Sequence, residues 1–202
     1  MIRPWPRAAS HGRLDWGLDE RQRIHRMSQT SQQPVEVPAR SPEGLSLRPV
    51  SAPPDALSDQ AFLFDVYAST RREEMQSWGW PAEQQKIFLR MQFEARRRAY
   101  QAEYPAAVEC ILLAAGIPAG VIQIFRSPSE IRLVDIALLP EYRNRGLGTR
   151  LISDLLREAE DAQVPLSLSV TRENRAKRLY ERLGLRVIRE DAMYFEMLRQ
   201  VG

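Results

Sequence analysis

Residues 135–156 read DIALLPEYRNRGLGTRLISDLL, and this stretch decides the fold prediction. Its apolar beginning is typical of a buried strand, which stops at Pro140 and gives way to arginines and glycines. Leu147, Leu151 and Leu155 then recur every four residues, the spacing of an amphipathic helix. The stretch therefore predicts a strand, a glycine-rich turn and a helix.

The turn has the composition of an anion site. A helix N-terminus presents unpaired N–H groups and a partial positive charge, and phosphate is its usual ligand. Gly146 and Gly148 let successive N–H groups converge on an anion, while Arg143, Arg145 and Arg150 attract a polyanion. The alternative is a plain strand-to-helix turn with solvated arginines, because short glycine motifs are common.

Two familiar phosphate loops do not fit this turn. The dinucleotide fingerprint requires a third glycine where Leu151 stands. A nucleotide P-loop requires Gly-Lys-Ser/Thr, and the only lysines of the chain are Lys86 and Lys177. The ligand of the turn must therefore be bound in another way.

Composition divides the chain into two parts. Residues 1–44 are rich in proline and show no hydrophobic periodicity, which predicts a disordered extension before a domain at 45–202. Translation could also start at Met27, so the sequence leaves open whether residues 1–26 belong to the natural protein. No apolar run is long enough to span a membrane and no secretory signal is recognisable, so we expect a cytoplasmic protein.

Charge argues against binding to nucleic acid. The chain has a net charge of +3, and residues 1–44 contribute +2 of it, from seven arginines and five acidic residues. The predicted domain therefore has a net charge of only +1, which is too low for non-specific binding to nucleic acid. The single cysteine, Cys110, lies in the apolar run VECILLAA and reads as a buried hydrophobic residue, with a nucleophile as the less favoured alternative.

Periodicity predicts a mixed, mostly antiparallel α/β sheet with helices on both faces. The predicted strands are 45–50, 107–115, 119–127, 130–139, 165–170, 185–190 and 193–199, and the predicted helices are 58–75, 81–104, 146–161 and 174–184. Ser58 is expected to cap the first helix. Ile87, Phe88, Met91 and Ala95 are expected to form the buried stripe of the second.

Two stretches carry a resemblance to a known family. ALLPEYRNRGLGTRLISDLL resembles the acyl-CoA-binding motif of the GNAT superfamily of N-acetyltransferases, whose Arg/Gln-x-x-Gly-x-Gly/Ala pattern is matched by Arg143, Gly146 and Gly148. NRAKRLYERLGL is similar to a later block of the family, although Asn174 lies two residues before Ala176 instead of three. The resemblance extends over about residues 45–202.

The resemblance implies a GNAT-like acyl-CoA N-acyltransferase fold and acetyl-CoA as the acetyl donor, with no metal. A bulge before the motif would free the backbone of Ile136, Ala137 and Leu138 for the pantetheine arm. The helix N-terminus would bind the pyrophosphate, and the implied cofactor-binding residues there are Arg143, Asn144, Arg145, Gly146, Leu147, Gly148 and Thr149, with Asn174 from the later block.

An amine acceptor would attack the thioester directly. A small amine, an amino acid, an antibiotic and a protein N-terminus all stay open as acceptors, and so does a homodimer. A non-catalytic acyl-CoA-binding or partner-binding module with the same fold is the alternative function. Trp78 and Trp80 are candidates for the acceptor wall or, alternatively, anchors of a helix junction.

The resemblance also implies a catalytic role for Tyr180, which would donate a hydrogen bond to the departing thiolate. A core tyrosine is the alternative, and Tyr194 is a weaker candidate for the role.

Asp135 interrupts an apolar strand, and burial favours the neutral form of a carboxyl group, so Asp135 is the first candidate for the general base. A structural ion pair with an arginine is the alternative reading. Glu109, Glu130 and solvent are the other candidate bases, because His11 and His25 lie in the predicted extension.

Overall fold

A computed structural model describes residues 44–50 and 56–201 of the chain. The predicted extension lies outside these residues except for Gly44, so the prediction of disorder stays a prediction. None of the helices in the described ranges has the length and apolarity needed to cross a membrane.

One seven-stranded mixed sheet organises the described residues. Its strands are β1 (Leu45–Pro49), β2 (Val108–Ala114), β3 (Ile117–Arg126), β4 (Ile131–Leu138), β5 (Leu166–Thr171), β6 (Arg186–Glu190) and β7 (Tyr194–Arg199). The spatial order is β1-β2-β3-β4-β5-β7-β6, and only β4 and β5 pair in parallel. The predicted fold class is confirmed. Because β7 lies between β5 and β6, however, the second strand-helix-strand passage does not join neighbouring strands.

Helices cover both faces of the sheet, as predicted. They are α1 (Ala56–Ser69), α2 (Arg72–Gln76), α3 (Ala82–Glu103), α4 (Leu147–Asp161) and α5 (Lys177–Arg182), with a 3-10 turn at Pro140–Tyr142. Residues of α4 and α5 pack into the larger core, and residues of α1 and α3 pack into a second core on the opposite face. The expected cap at Ser58 is wrong, because α1 is already helical at Ala56.

The buried face of α3 differs from the prediction. Leu89, Phe93 and Tyr100 are buried, whereas Ile87 and Met91 are 70% and 60% exposed. Both sets have helical spacing, so periodicity alone could not choose between them. The structure selects the face that also carries Arg96, which forms an ion pair with a carboxylate of the sheet.

A bulge in β4 positions the residues that follow it. Gln123 of β3 pairs with Asp135, and Ile124 pairs with Leu133, so Val134 is the extra residue. The extra residue reverses the alternation of side chains: Leu133 faces the α4 core, and Asp135 faces α3 instead. The bulge expected from the family resemblance is thus present.

Candidate active site

The turn before α4 has the backbone conformation that its glycines predict. Asn144 and Gly146 have positive φ angles of 58° and 80°, and α4 begins at Leu147. Such angles favour glycine or asparagine. A Cβ added to Gly146 would meet no atom of the described chain within 4 Å, so the space in front of the turn is open. The N–H groups of Leu147, Gly148 and Thr149 belong to the first helical turn, where the helix itself provides no acceptors.

The side chain of Arg143 holds the turn in place. Its Nε donates to the carbonyl oxygen of Leu138 at 2.9 Å, and one terminal nitrogen donates to Ser69 Oγ at 3.2 Å. Arg143 therefore ties the turn to the end of β4 and to the end of α1. Arg145 is exposed and lies 6.0 Å from the ring centroid of Tyr142, so it is the better placed of the two to meet a ligand.

The sheet opens beside the turn. Pairing between β4 and β5 runs from Ile131–Leu166 to Leu133–Leu168 and stops there. Ile136, Ala137 and Leu138 pair with β3 on one side and have no β5 partner on the other. Such a gap presents free backbone groups to an extended ligand arm. We call this opening between β4 and β5 the splay.

Close approach of β3 and β4 supports one side of the splay. A Cβ added to Gly120 would lie 2.3 Å from the carbonyl oxygen of Ala137, so no larger residue fits at this position without moving β4.

Asp135 forms a buried ion pair with α3. Its Oδ2 lies 3.0 Å from a terminal nitrogen of Arg96, and the two side chains are 6% and 13% exposed. Asp135 Oδ1 and Arg96 Nε are also buried, and neither has a hydrogen-bond partner within the described residues. The ion pair with an arginine, which was the alternative prediction for Asp135, is therefore observed. One carboxylate oxygen stays available for another role.

The other two candidate bases occupy different positions. Glu109 lies in register with Gln123 and thus in the same cross-strand row as Asp135, but it pairs with Arg97 at 3.2 Å. Burial raises the pKa of Glu109, and the nearby charge of Asp135 raises it further. Glu130 accepts a hydrogen bond from Ser167 at 2.5 Å, beyond the closed end of the β4–β5 pairing. It is therefore remote from the splay.

Tyr180 is buried beside the splay. The ring is 2% exposed and packs in the α4 core. Burial raises the pKa of Tyr180, and the charge of Asp135 raises it further, so the hydroxyl stays protonated at neutral pH. The two side chains thus interact electrostatically across the open part of the sheet. Tyr194 is also buried and pairs with Thr171, the last residue of β5, beyond Leu168 where the pairing with β4 ends.

Asn174 has a structural role in the entry to α5. Its Oδ1 accepts a hydrogen bond from the N–H of Ala176 at 2.9 Å, which is the geometry of a helix-entry turn. The hydrogen bond explains an asparagine at this position without a ligand.

Cys110 is buried, and burial raises the pKa of its thiol to about 11, so the thiol is inert at neutral pH.

Trp78 and Trp80 are 38% and 42% exposed and pack against each other and against Phe88. This cluster lies at the α2–α3 junction, and it leaves apolar surface accessible.

A cleft of about 580 Å³ was not anticipated from the sequence. It lies between the end of α1, α2, the start of α3 and residues 139–141, immediately before the turn. Asp65, Ser69 and Arg72 line one wall, and Glu141 lines the other. The first three lie four and three residues apart on one helical face of the α1–α2 segment, a spacing visible in the sequence. Only the fold shows that this face meets residues 139–141.

The arrangement combines four chemical features. They are a helix N-terminus open to an anion, a gap lined by backbone groups, a buried neutral phenol and a carboxylate with one available oxygen. Within residues 44–50 and 56–201, no three His, Cys, Asp or Glu side chains are grouped as a metal site would require. The geometry suits the binding of a long anionic thioester and transfer of its acyl group.

Comparison with solved structures identifies the fold. The PaiA N-acetyltransferase of Thermoplasma acidophilum, solved in complex with coenzyme A, is 16% identical with a TM-score of 0.54, over 77% of this chain and 98% of its own. An acetyltransferase of Thermus thermophilus is 17% identical with a TM-score of 0.53, over 77% and 96% of the two chains. An acetyltransferase of Streptococcus agalactiae is 20% identical with a TM-score of 0.51, over 78% and 99%.

Sequence comparison identifies the family. None of the curated proteins compared with the chain matches it. The model of the acetyltransferase (GNAT) family matches residues 66–185, which is more than half of the chain and includes both stretches on which the resemblance rested. The chain therefore belongs to the GNAT family of acetyltransferases.

Proposed function

We propose that this acetyltransferase transfers the acetyl group of acetyl-CoA directly to a primary amine. The observation that carries the proposal is the splay, which leads from the turn at Gly146 to Asp135 and Tyr180. An extended thioester bound along Ile136–Leu138 would have its phosphates at the helix N-terminus and its acetyl group at the bulge. Coenzyme A is the ligand of the Thermoplasma relative.

Each part of acetyl-CoA has a counterpart in this arrangement. The N–H groups of Leu147, Gly148 and Thr149 receive the pyrophosphate, and the positive end of α4 favours its charge. Arg145 adds long-range attraction from the exposed side of the turn. The backbone groups of Ile136–Leu138 that β3 and Arg143 leave unpaired on the open side pair with the amide groups of the pantetheine arm.

The reaction requires a neutral amine and a stabilised leaving group. The amine nitrogen forms a bond to the acetyl carbon, the carbon–sulfur bond breaks, and sulfur leaves with the electron pair. Tyr180 stabilises the thiolate by donating a hydrogen bond, since its raised pKa opposes full proton transfer. The proton that the amine loses passes to Asp135 Oδ1 or to solvent.

We place a charged group of the acceptor, remote from its attacking amine, in the cleft between α1, α2 and residues 139–141, while the attacking amine itself reaches the acetyl group at the bulge. Asp65 and Glu141 bring two carboxylates to its walls, and Arg72 and the Arg143 guanidinium at Ser69 bring two cations, so a cationic group of the acceptor would lie against Asp65 or Glu141. The exposed tryptophans at the α2–α3 junction would pack against an apolar part of the acceptor.

A panel of primary amines with acetyl-CoA tests the proposal. The panel contains aliphatic diamines, amino acids, an aminoglycoside and a peptide with a free N-terminus, and thiol release is followed beside the mass of the product. We expect a gain of one acetyl group on at least one amine. Asp65→Asn should raise the KM of a cationic acceptor about tenfold and leave its kcat nearly unchanged, because a remote charge acts on binding. Binding of acetyl-CoA without acetylation of any panel member would favour the non-catalytic module instead.

A cytoplasmic location and a homodimer stay predictions. Light scattering on the purified full chain would measure the mass in solution, and cell fractionation would test the location.

A further inference from the structure

The ion pair between Arg96 and Asp135 connects α3 to the bulge. Asp135 is the residue that the extra Val134 turns toward α3, and Arg96 is the residue of α3 that receives it, at 3.0 Å. Only one oxygen of the carboxylate takes part. The other, Oδ1, is buried and has no hydrogen-bond partner among the residues described.

Aromatic rings hold the guanidinium of Arg96 in one place. Its Cζ lies 4.8 Å from the ring centroid of Tyr67 and 5.4 Å from that of Tyr100. The titratable groups that act on this pair come from four elements: Tyr67 of α1, Tyr100 of α3, Glu109 of β2 and Tyr180 of α5. Arg97 of α3 acts on Glu109. The pair is therefore enclosed by side chains from several elements, and solvent contributes little to it.

Stability does not explain the pair. Two charges that are withdrawn from water recover their desolvation cost only when every remaining polar atom is satisfied, and apolar residues of the same volume serve a core at least as well. Here two polar atoms, Asp135 Oδ1 and Arg96 Nε, lack partners in the described structure. A pair that is incompletely satisfied at the edge of a reaction site points to a function in the reaction.

We propose that Arg96 is a positioning residue, which holds the Asp135 carboxylate by Oδ2 so that Oδ1 can accept a proton from the attacking amine. The inference rests on the proposed function, because the acceptor of that proton matters only if an amine attacks. Arg96 itself touches neither substrate. It acts through Asp135 alone, by fixing the orientation of the carboxylate and placing a positive charge beside it.

The test is the pH profile of kcat/KM, measured with acetyl-CoA and the amine of the panel that is acetylated fastest. In Arg96→Met the buried carboxylate loses its counter-charge and takes up a proton more readily. The acidic limb of the profile should therefore move to higher pH by roughly one to three units, the usual effect of one close opposite charge. At neutral pH, kcat should fall about tenfold or more.

Arg96→Lys separates charge from geometry. It keeps the positive charge, so the acidic limb should stay close to that of the wild type. An ammonium group lacks the planar fork that orients a carboxylate, so kcat should fall about threefold to tenfold. Unchanged kcat in Arg96→Lys would contradict positioning, and this variant decides the question if Arg96→Met does not fold.

Two neighbouring arginines provide matched controls. Arg98 is exposed on the outer side of α3, and Arg98→Met should leave the pH profile unchanged. Arg97 pairs with Glu109, so a limb that moves in Arg97→Met and not in Arg96→Met would identify Glu109 as the base and overturn the proposal.

Asp135→Asn distinguishes a failure of the inference about Arg96 from a failure of the proposed acetyl transfer. Loss of most activity in this variant, with acetyl-CoA still bound, is the expected result. Full activity in Asp135→Asn would refute the inference and leave the proposed function intact. Absence of acetyl transfer by the wild-type chain would refute the proposed function itself.

Discussion

Gly148 and Leu179 are in van der Waals reach: a Cβ added to Gly148 would lie 3.5 Å from Leu179 Cδ2. The approach joins the first turn of α4 to α5, which carries Tyr180. The two stretches that resemble the family in sequence therefore meet in space. The phosphate end of the proposed donor site and the residue beside its thioester belong to one packed unit.

Gly146 offers a test of the anion site with matched shapes. Asparagine and aspartate both tolerate the left-handed backbone at this position, and they differ by one charge. We expect Gly146→Asp to bind acetyl-CoA at least about tenfold more weakly than Gly146→Asn, because a carboxylate would stand at the site of the pyrophosphate. Calorimetric titration of both variants measures the difference, and equal affinities would place the pyrophosphate elsewhere.

Tyr180→Phe tests the leaving-group role. The change keeps the ring and its packing and removes only the hydroxyl, so acetyl-CoA affinity should change little. If the hydroxyl stabilises the thiolate, kcat should fall roughly 10- to 1000-fold. Steady-state kinetics beside a melting curve give the answer. A nearly normal kcat would remove Tyr180 from the mechanism, and Tyr194→Phe would then be the next variant to measure.

Cys110 predicts a specific loss of stability at alkaline pH. An unfolded thiol titrates near about 8.5, whereas burial raises the pKa of Cys110 to about 11. The raised pKa contributes stability that is complete below the unfolded value and is lost as the pH rises toward the folded value. Between about pH 8 and about pH 10, the free energy of unfolding should therefore fall on the order of 2 kcal/mol more in the wild type than in Cys110→Ala. Urea unfolding under reducing conditions measures both, and parallel pH curves would contradict the assignment.

The orientation of α3 predicts a large loss of stability for one of its residues and almost none for another. Phe93 is 2% exposed and packs against Phe64 and Tyr67, so Phe93→Ala should lower the free energy of unfolding by about 3–5 kcal/mol. Met91 is 60% exposed, and Met91→Ala should change it by less than about 0.5 kcal/mol. Equal losses in urea unfolding would show that the outer face of α3 is covered in solution.

We propose that residues 45–202 contain a domain that folds without residues 1–43. Removal of residues 1–43 keeps β1, whose Leu45 is buried in the larger core, and should change neither cooperative unfolding nor acetyl-CoA affinity. Removal of residues 1–50 also takes away β1, which pairs with β2, and should lower stability. Loss of cooperative unfolding in the shorter truncation would make the first 43 residues part of the domain.

Local sequence was sufficient to predict secondary structure wherever the conformation of a segment depends on its own residues. Gly146 at a left-handed position, the four-residue spacing of Leu147, Leu151 and Leu155, and the short hairpins between β2, β3 and β4 depend on backbone sterics and on neighbours close in the chain. For that reason the strands, the turn and α4 were predicted within a few residues. The family was predicted from two such local stretches, residues 137–156 and 174–185.

Tertiary structure decided which of several equivalent faces is buried. Ile87 and Met91 have the same helical spacing as Leu89 and Phe93, and the choice between them depends on the packing of Phe93 against Phe64 and Tyr67 of α1, which also lets Arg96 meet Asp135. That meeting depends in turn on Val134, because one extra residue in β4 reverses every later side chain. A pattern along one chain segment carries no information on the register between two strands. The partner of Asp135, the splay and the cleft beside Glu141 all arise from contacts between segments distant in sequence, and only the folded chain determines them.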